Sequence, residues 1–258
     1  MPAPINPFKK AILEGQTIFG CWNSLGTPMV SELLGTAGFD WVLIDGEHAP
    51  YDIATIRNQL IALENSDSAA VVRVPIGETW IIKQVLDCGV QTILVPIVES
   101  AAQAKQLVGA CRYPPVGERG VGYSLARASC YGEITDYGTS ADDQICLLVQ
   151  VENRAGMEAL DDILAVEGVD GVFIGPADLS ADYGHMGNIM HPEVQEMIMG
   201  ALGRIKAAGK APGILSTRED MTEASLEAGA QFLAVGLDIG MLAQAARATA
   251  KRWKSSGA

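Results

Sequence analysis

The sequence predicts a (β/α)8 barrel, and three observations carry that prediction. Eight short apolar runs alternate with helix-period stretches along the whole chain. Eight strand–helix units in about 250 residues is the count of such a barrel. An open doubly wound sheet would usually carry a Gly-rich dinucleotide loop after its first strand, and here "CWNSLGTP" follows instead.

The runs, in order, are "TIFGCW" from Thr17, "WVLID" from Trp41, "AVVRVP" from Ala70 and "TILVPIVE" from Thr92. "ICLLVQVE" from Ile145, "GVFIG" from Gly171, "APGIL" from Ala211 and "FLAVG" from Phe232 complete them. Each is short and almost unbroken in apolar character, as a parallel strand covered on both faces must be. Between them the spacing predicts helices over residues 52–64, 78–88, 101–111, 154–165 and 192–208. Strand–helix repetition implies right-handed parallel βαβ units. One connection, residues 112–144, is too long and Gly-rich for a plain helix-to-strand link. It reads either as a functional loop or as a surface excursion. No Pro/Ser-rich or charge-rich linker interrupts the 258 residues, so one domain is expected.

Composition narrows the function classes. With 48% hydrophobic and 19% charged residues, the chain can fill a large core. It carries 31 acidic against 18 basic residues, a net charge of −13, and no Lys/Arg run. No nucleic-acid or anionic-membrane partner is expected. The start, "MPAPINPFKKAILEGQ", lacks an apolar core of signal-peptide length, and no run of about 18 apolar residues suggests a membrane span. Cys21, Cys88, Cys111, Cys130 and Cys146 are scattered, with no C-x-x-C. They read as reduced thiols in a cytoplasm.

In a barrel, the C-terminal ends of the strands converge on one site. The stretch "WVLIDGEHAP" passes from a buried strand straight into Asp45, Glu47 and His48. Trp22 ends the first strand, Arg73 lies on the third, Gln150 and Glu152 end the fifth, and Gly175 leads through Pro176 to Asp178. The seventh ends near Leu215 and Ser216. Glu152 and Asp178 are two carboxylates on neighbouring strands, a pair that suits an all-oxygen site for Mg²⁺ or Mn²⁺. Asp45 stands three residues before His48 and is expected to orient its imidazole for acid–base work. Arg73 offers a cation for an anionic substrate or a developing oxyanion. "GPADLS" opens a helix or turn whose backbone N–H groups could hold a carboxylate.

Each residue also has a structural alternative. Glu152 and Asp178 could cap helices, Arg73 could be a structural ion pair, and His48 could be a turn residue. His185 and His191, in "YGHMGNIMHP", lack partners at ligand spacing and read as structural. None of the eight lysines falls at a strand exit, so no Schiff-base lysine is expected. There is no Walker A loop and no G-x-S-x-G elbow. "AVGLDIG" after the eighth strand could bind phosphate or could be a tight core turn.

Taken together, "FDWVLIDGEHAP", "VVRVP", "RYPPVGERGVG", "LVQVE", "EGVDGVFIGPADLSADYGHMGN" and "GKAPGIL" resemble the metal-dependent class II pyruvate aldolases of the HpcH/HpaI family. The resemblance runs from about Ile18 to Ala246. It implies a barrel whose last helix swaps between subunits of a homohexamer. It implies reversible cleavage of 4-hydroxy-2-oxo acids, through an enolate, to an aldehyde and pyruvate or a related 2-oxo acid such as hydroxypyruvate. The cofactor implied is a divalent ion (Mg²⁺, Mn²⁺ or Co²⁺) held by Glu152 and Asp178, with no PLP and no nucleotide. By the same resemblance His48, supported by Asp45, handles protons, Arg73 steadies the enolate oxygen, and Asp87 assists the water network from a neighbouring subunit or loop. Gln150, Gly175 and the backbone of Ala177 and Asp178 hold the pyruvate end, and Trp22, Val121 and Leu215 line the aldehyde end. An acyl-CoA lyase of the same superfamily, a phosphosugar isomerase or epimerase barrel, and a non-catalytic metabolite-binding barrel stand as alternatives. The first would need a basic patch for the CoA phosphates, which the sequence lacks.

Overall fold

The structure is a computed structural model that describes residues 1–49 and 51–255; Pro50, the last residue of "WVLIDGEHAP", lies outside the described residues. Eight parallel strands close into one barrel in sequence order. They are β1 (Ile18–Asn23), β2 (Trp41–Asp45), β3 (Ala69–Arg73), β4 (Thr92–Val95), β5 (Cys146–Val151), β6 (Gly171–Ile174), β7 (Ala211–Leu215) and β8 (Phe232–Leu237). Each falls within a residue or so of an apolar run in the sequence, or inside one.

Around them lie α1 (Pro7–Leu13), α2 (Pro28–Gly35), α3 (Ile53–Leu63), α4 (Thr79–Asp87), α5 (Ala101–Cys111) and α6 (Tyr137–Gln144). Then follow α7 (Arg154–Glu158), α8 (Leu160–Leu164), α9 (Pro176–Asp182), α10 (Pro192–Ala207), α11 (Glu219–Glu227) and α12 (Asp238–Ser255). The single helix expected over 154–165 is two short ones, broken at Ala159. Asn153 caps the first through the Gly156 N–H, and Leu160 and Ile163 bury the second.

Alternation sorts each strand between two cores. Val42, Ile44, Val72, Ile93, Val149 and Val172 point outward, against the helices. Trp41, Leu43, Val71, Leu94, Leu148, Phe173 and Phe232 fill the barrel. Helix α1 plugs its N-terminal end: Phe8 meets Trp41 and Phe232 edge-on, with ring centroids 5.8 and 5.6 Å away. Gly20 makes room for this packing, because a Cβ there would lie 2.2 Å from the Trp41 ring.

The connection between α5 and β5 is largely ordered, with two 3₁₀ turns before α6. It joins the lower end of a descending helix to the start of an ascending strand, so it lies at the N-terminal end of the barrel. The first residues of the chain pin it there, through Met1 to Thr135, Ala3 to Ser140 and Asn6 to Gln144. At its centre Arg119 is fully buried. It pairs with Asp87 at 2.8 Å and stacks 4.5 Å from the Tyr113 ring centroid.

The Gly20 contact gives a test. Gly20→Ala is expected to lower unfolding free energy in urea by about 1–3 kcal/mol, the usual cost of overpacking. At Gly122, where a Cβ would meet nothing within 4 Å, the same substitution should change it by less than about 0.5 kcal/mol.

Candidate active site at the strand exits

Period-two alternation carries the inner layers of the barrel upward into a polar layer. Two residues beyond Leu43, Val71, Leu148 and Phe173 stand Asp45, Arg73, Gln150 and Gly175, and two beyond Gln150 stands Glu152. Trp22 follows Gly20, and Leu215 follows Gly213, in the same way. Asp45, Arg73, Gln150 and Glu152 are all buried.

Arg73 and Asp45 face each other across the β2–β3 register. The guanidinium Nε and Nη2 donate to the two Asp45 oxygens at 2.9 and 2.8 Å. Its Nη1 lies 2.6 Å from Glu47 Oε2, and the whole group sits 4.8 Å over the Trp22 ring. The fork to Asp45 uses two of the five guanidinium N–H groups, while the Glu47 contact is an ion pair that leaves Glu47 Oε2 without a hydrogen-bond partner. Trp22 Nε1 also donates to Asp45, at 3.0 Å, and so do the backbone N–H groups of Glu47 (3.0 Å) and His48 (3.4 Å). Burial pushes the Asp45 carboxyl upward, but the Arg73 fork and these donors outweigh it and hold it below the ordinary carboxylate range. Asp45 therefore acts on His48 differently from the sequence expectation. Its oxygens are committed to Arg73, Trp22 and the turn amides, so it positions His48 through the main chain. The imidazole itself is exposed, at the edge of the site.

Glu152 accepts from the Ile97 N–H at 3.0 Å and from Gln150 Nε2. Ile97 holds this position with φ of 54°, a left-handed backbone that a β-branched residue adopts only under constraint. Gly175 is the other condition: a Cβ there would meet Glu152 Oε2 at 2.5 Å. Helix α9 starts beside it with Pro176, and the N–H groups of Ala177 and Asp178 in its first turn have no intrahelical acceptor. A cavity of about 350 Å³ is lined by Glu47, His48, Ile97, Glu152, Asn153 and Asp178, among others. Glu47, Ile97 and Asn153 had no assigned role in the sequence reading. Glu47 was visible there as a third ionisable group on the β2 exit; nothing in the sequence marks Ile97.

The remaining expected residues divide. Trp22 is buried under Arg73, and Leu215 is half-buried against the inner core. Asp87 and Val121 do not join the site in this chain. Asp87 ends α4, a descending helix, and Val121 is an exposed residue of the connection, so both lie toward the N-terminal end. Lys9 and Lys210 are also there, donating to the carbonyls of Ile145 and Val169. The turn after β8 offers little to a phosphate. Asp238 already accepts from the N–H groups of Ser24, Leu25 and Ile239 at 2.6–3.0 Å.

The donor set fits a divalent cation. Four carboxylates, Glu47, Glu152, Asp178 and Asp182, open on one cavity, and the nearest guanidinium, Arg73, is already shared between Asp45 and Glu47. Burial, with Glu47 and Asp178 adding repulsion, pushes the Glu152 carboxyl up to about 7 despite its two donors. Burial also raises Glu47. Gln150 Oε1 is buried without a hydrogen-bond partner. Oxygen donors short of positive charge are what Mg²⁺ or Mn²⁺ binds.

Two outcomes are expected from these electrostatics. Between pH 4.5 and about 7 the folded chain binds the Glu152 proton more tightly than the unfolded chain does. Metal-free protein should therefore lose stability as pH rises through that window, by up to roughly 3 kcal/mol. Thermal unfolding in chelator should show this loss, and Glu152→Gln should flatten it. Asp45→Ala should cost about 3–5 kcal/mol in chemical denaturation, because it strands the buried Arg73 charge.

The chain is similar to known aldolases along nearly its whole length. The chain is 60% identical to a hydroxypyruvate/pyruvate aldolase of Roseobacter denitrificans, over 98% of this chain and 99% of that protein. It is 52% identical to a 4-hydroxy-2-oxo-heptane-1,7-dioate aldolase of Escherichia coli, over 96% and 95%. Among solved structures, a HpcH/HpaI aldolase/citrate lyase family protein from Burkholderia cenocepacia J2315 superposes with a TM-score of 0.92 at 36% identity, covering 96% of this chain and 99% of that one. The family model for HpcH/HpaI aldolase/citrate lyase matches residues 18–245, and the chain belongs to that family.

Proposed function

We propose that the chain is a hydroxy-ketoacid aldolase, a carbon–carbon lyase. It cleaves 4-hydroxy-2-oxo acids between C3 and C4 to an aldehyde and pyruvate or hydroxypyruvate, and joins the two in reverse. The observation that carries this reading is the charge-poor carboxylate pair Glu152 and Asp178, opening on one cavity with His48 and with Glu47, the partner of Arg73. Relatives named as hydroxypyruvate/pyruvate aldolases span nearly the whole chain and support it.

A divalent cation (Mg²⁺, Mn²⁺ or Co²⁺) held by Glu152 and Asp178 would supply a Lewis acid for the 2-oxo acid. The chain's own groups do the rest. Arg73 turns the N–H groups that Asp45 leaves free toward the oxygen on which charge collects as the C3–C4 bond breaks. His48 takes the proton from the 4-hydroxyl as the aldehyde leaves, and returns it in the addition direction. Asp45 keeps His48 in reach by holding its turn. Gln150 and the N–H groups of Ala177 and Asp178 hold the carboxylate end, over the space that Gly175 leaves open. Trp22 and Leu215 form the wall on the aldehyde side.

The same reading includes a homohexamer. Ile239, Met241, Leu242 and Trp253 on α12 are exposed, and an apolar face of that kind suits cover by another copy. Asp87 and Val121 would then serve a neighbouring mouth. Among the described residues no helix is long and apolar enough to cross a membrane. The five cysteines are free, which suits a reducing cytoplasm.

The test is cleavage of a panel of 4-hydroxy-2-oxo acids. EDTA should abolish turnover, Mg²⁺, Mn²⁺ or Co²⁺ should restore it, and borohydride with pyruvate should not inactivate. Trapping of pyruvate on a lysine would overturn the reading. His48→Ala should reduce aldol cleavage by roughly 10²–10⁴-fold while leaving oxaloacetate decarboxylation, which has no 4-hydroxyl proton to remove, much less affected. Arg73→Ala should damage both reactions. Equal loss of both in His48→Ala would move His48 to the shared step or to the fold.

A further inference from the structure

The turn after β4 aims a backbone donor at Glu152, and part of what holds that turn lies outside the cavity. Ile97 donates its N–H to Glu152 Oε1 at 3.0 Å, and the next residue, Val98, donates to the Gln150 carbonyl at 2.9 Å. These consecutive amides meet β5 and its exit through the left-handed backbone of Ile97, with φ of 54°. A β-branched residue leaves that region unless its surroundings hold it there.

Two side chains hold it. Gln103, in the first turn of α5, spans the turn with both ends of its amide. Its Nε2 donates to the Ile97 carbonyl at 3.0 Å, and its Oε1 accepts from the Glu99 N–H at 2.9 Å. Asn153, which follows Glu152, donates from Nδ2 to Glu99 Oε1 at 2.6 Å. The cap of α5 uses other atoms: Ser100 Oγ accepts from the Gln103 N–H at 3.2 Å. The clamp on the turn and the cap on the helix are therefore separable by substitution. The clamp also needs an amide, because a neutral amide offers a donor and an acceptor side by side, whereas an ionised carboxylate only accepts.

We propose that Gln103 is a positioning residue for the mouth. By locking the Ile97 turn it keeps the Ile97 N–H on Glu152, and so sets how tightly the mouth takes a divalent cation. This rests on the reading of Glu152 and Asp178 as a cation pair. Gln103 does not line the cavity; its effect passes through one residue of main chain. With the turn released, Glu152 has to be ordered when the cation arrives, and affinity falls by the cost of that ordering.

The experiment is titration of metal-free protein with Mn²⁺, read by the electron paramagnetic resonance of the free ion. Amide hydrogen exchange at Ile97 is a second readout that needs no metal. Gln103→Met keeps the length of the side chain and removes both hydrogen-bonding atoms. It should weaken Mn²⁺ binding by roughly 10–100-fold and speed exchange of the Ile97 N–H. Gln103→Glu keeps the acceptor for Glu99 and loses the donor to Ile97, so it should fall between Gln103→Met and native protein. Ser100→Ala removes the cap and leaves the clamp. It should lower the thermal midpoint and leave Mn²⁺ affinity unchanged. Native affinity in Gln103→Met, or an equal loss in Ser100→Ala, overturns the proposal. If native protein binds Mn²⁺ no better than Glu152→Gln does, the cation pair itself is overturned, and this proposal with it.

Discussion

The Arg73–Asp45 fork is the interaction on which the mouth depends. It joins two adjacent strands at the level where the barrel changes from apolar to polar. A guanidinium and a carboxylate without water around them persist only when their remaining donors and acceptors are matched, and here the matching groups are the site itself. Trp22 closes one Asp45 oxygen and carries the guanidinium on its ring. The amides of Glu47 and His48 close the other, which sets the path of the chain as it leaves β2. The position of the imidazole thus follows from an ion pair that does not touch it.

Charge is distributed unevenly around that pair. Arg73 pairs with two carboxylates on one side of the opening, gripping Asp45 through both oxygens and Glu47 through one contact, while Glu152 on the other side receives only neutral donors. A strained Ile97 and a side-chain-free Gly175 are what keep Glu152 in a position it does not favour as an anion. That imbalance separates a half whose Asp45 is held by a guanidinium, ready to orient, from a half without a cation, ready to receive one.

Much of this was legible in the sequence, for a physical reason. Parallel strands covered on both faces must be apolar throughout, so the eight runs stand out. The first polar residue at each exit, counted in steps of two, then identifies Asp45, Arg73, Gln150 and Glu152. What was not legible depends on direction or on long-range closure. Val121 and Asp87 belong to segments that end at the opposite rim, which residue type does not reveal. Asp45 beside His48 reads as a side-chain dyad, yet partners from two other strands had already claimed its oxygens. His185 meets Glu193 and stacks on His191 only because a short loop folds back over the end of α9.

Asp238 has a consequence for discrimination among metabolites. Its carboxylate is tethered to the three N–H groups it occupies, so it competes with any incoming anion at a high, fixed effective concentration. A phosphate ester reaching that corner must expel a resident that cannot diffuse away, and must leave its oxygens unpaired in a buried place. At that corner the chain's own carboxylate stands where a phosphate would otherwise find three free N–H groups.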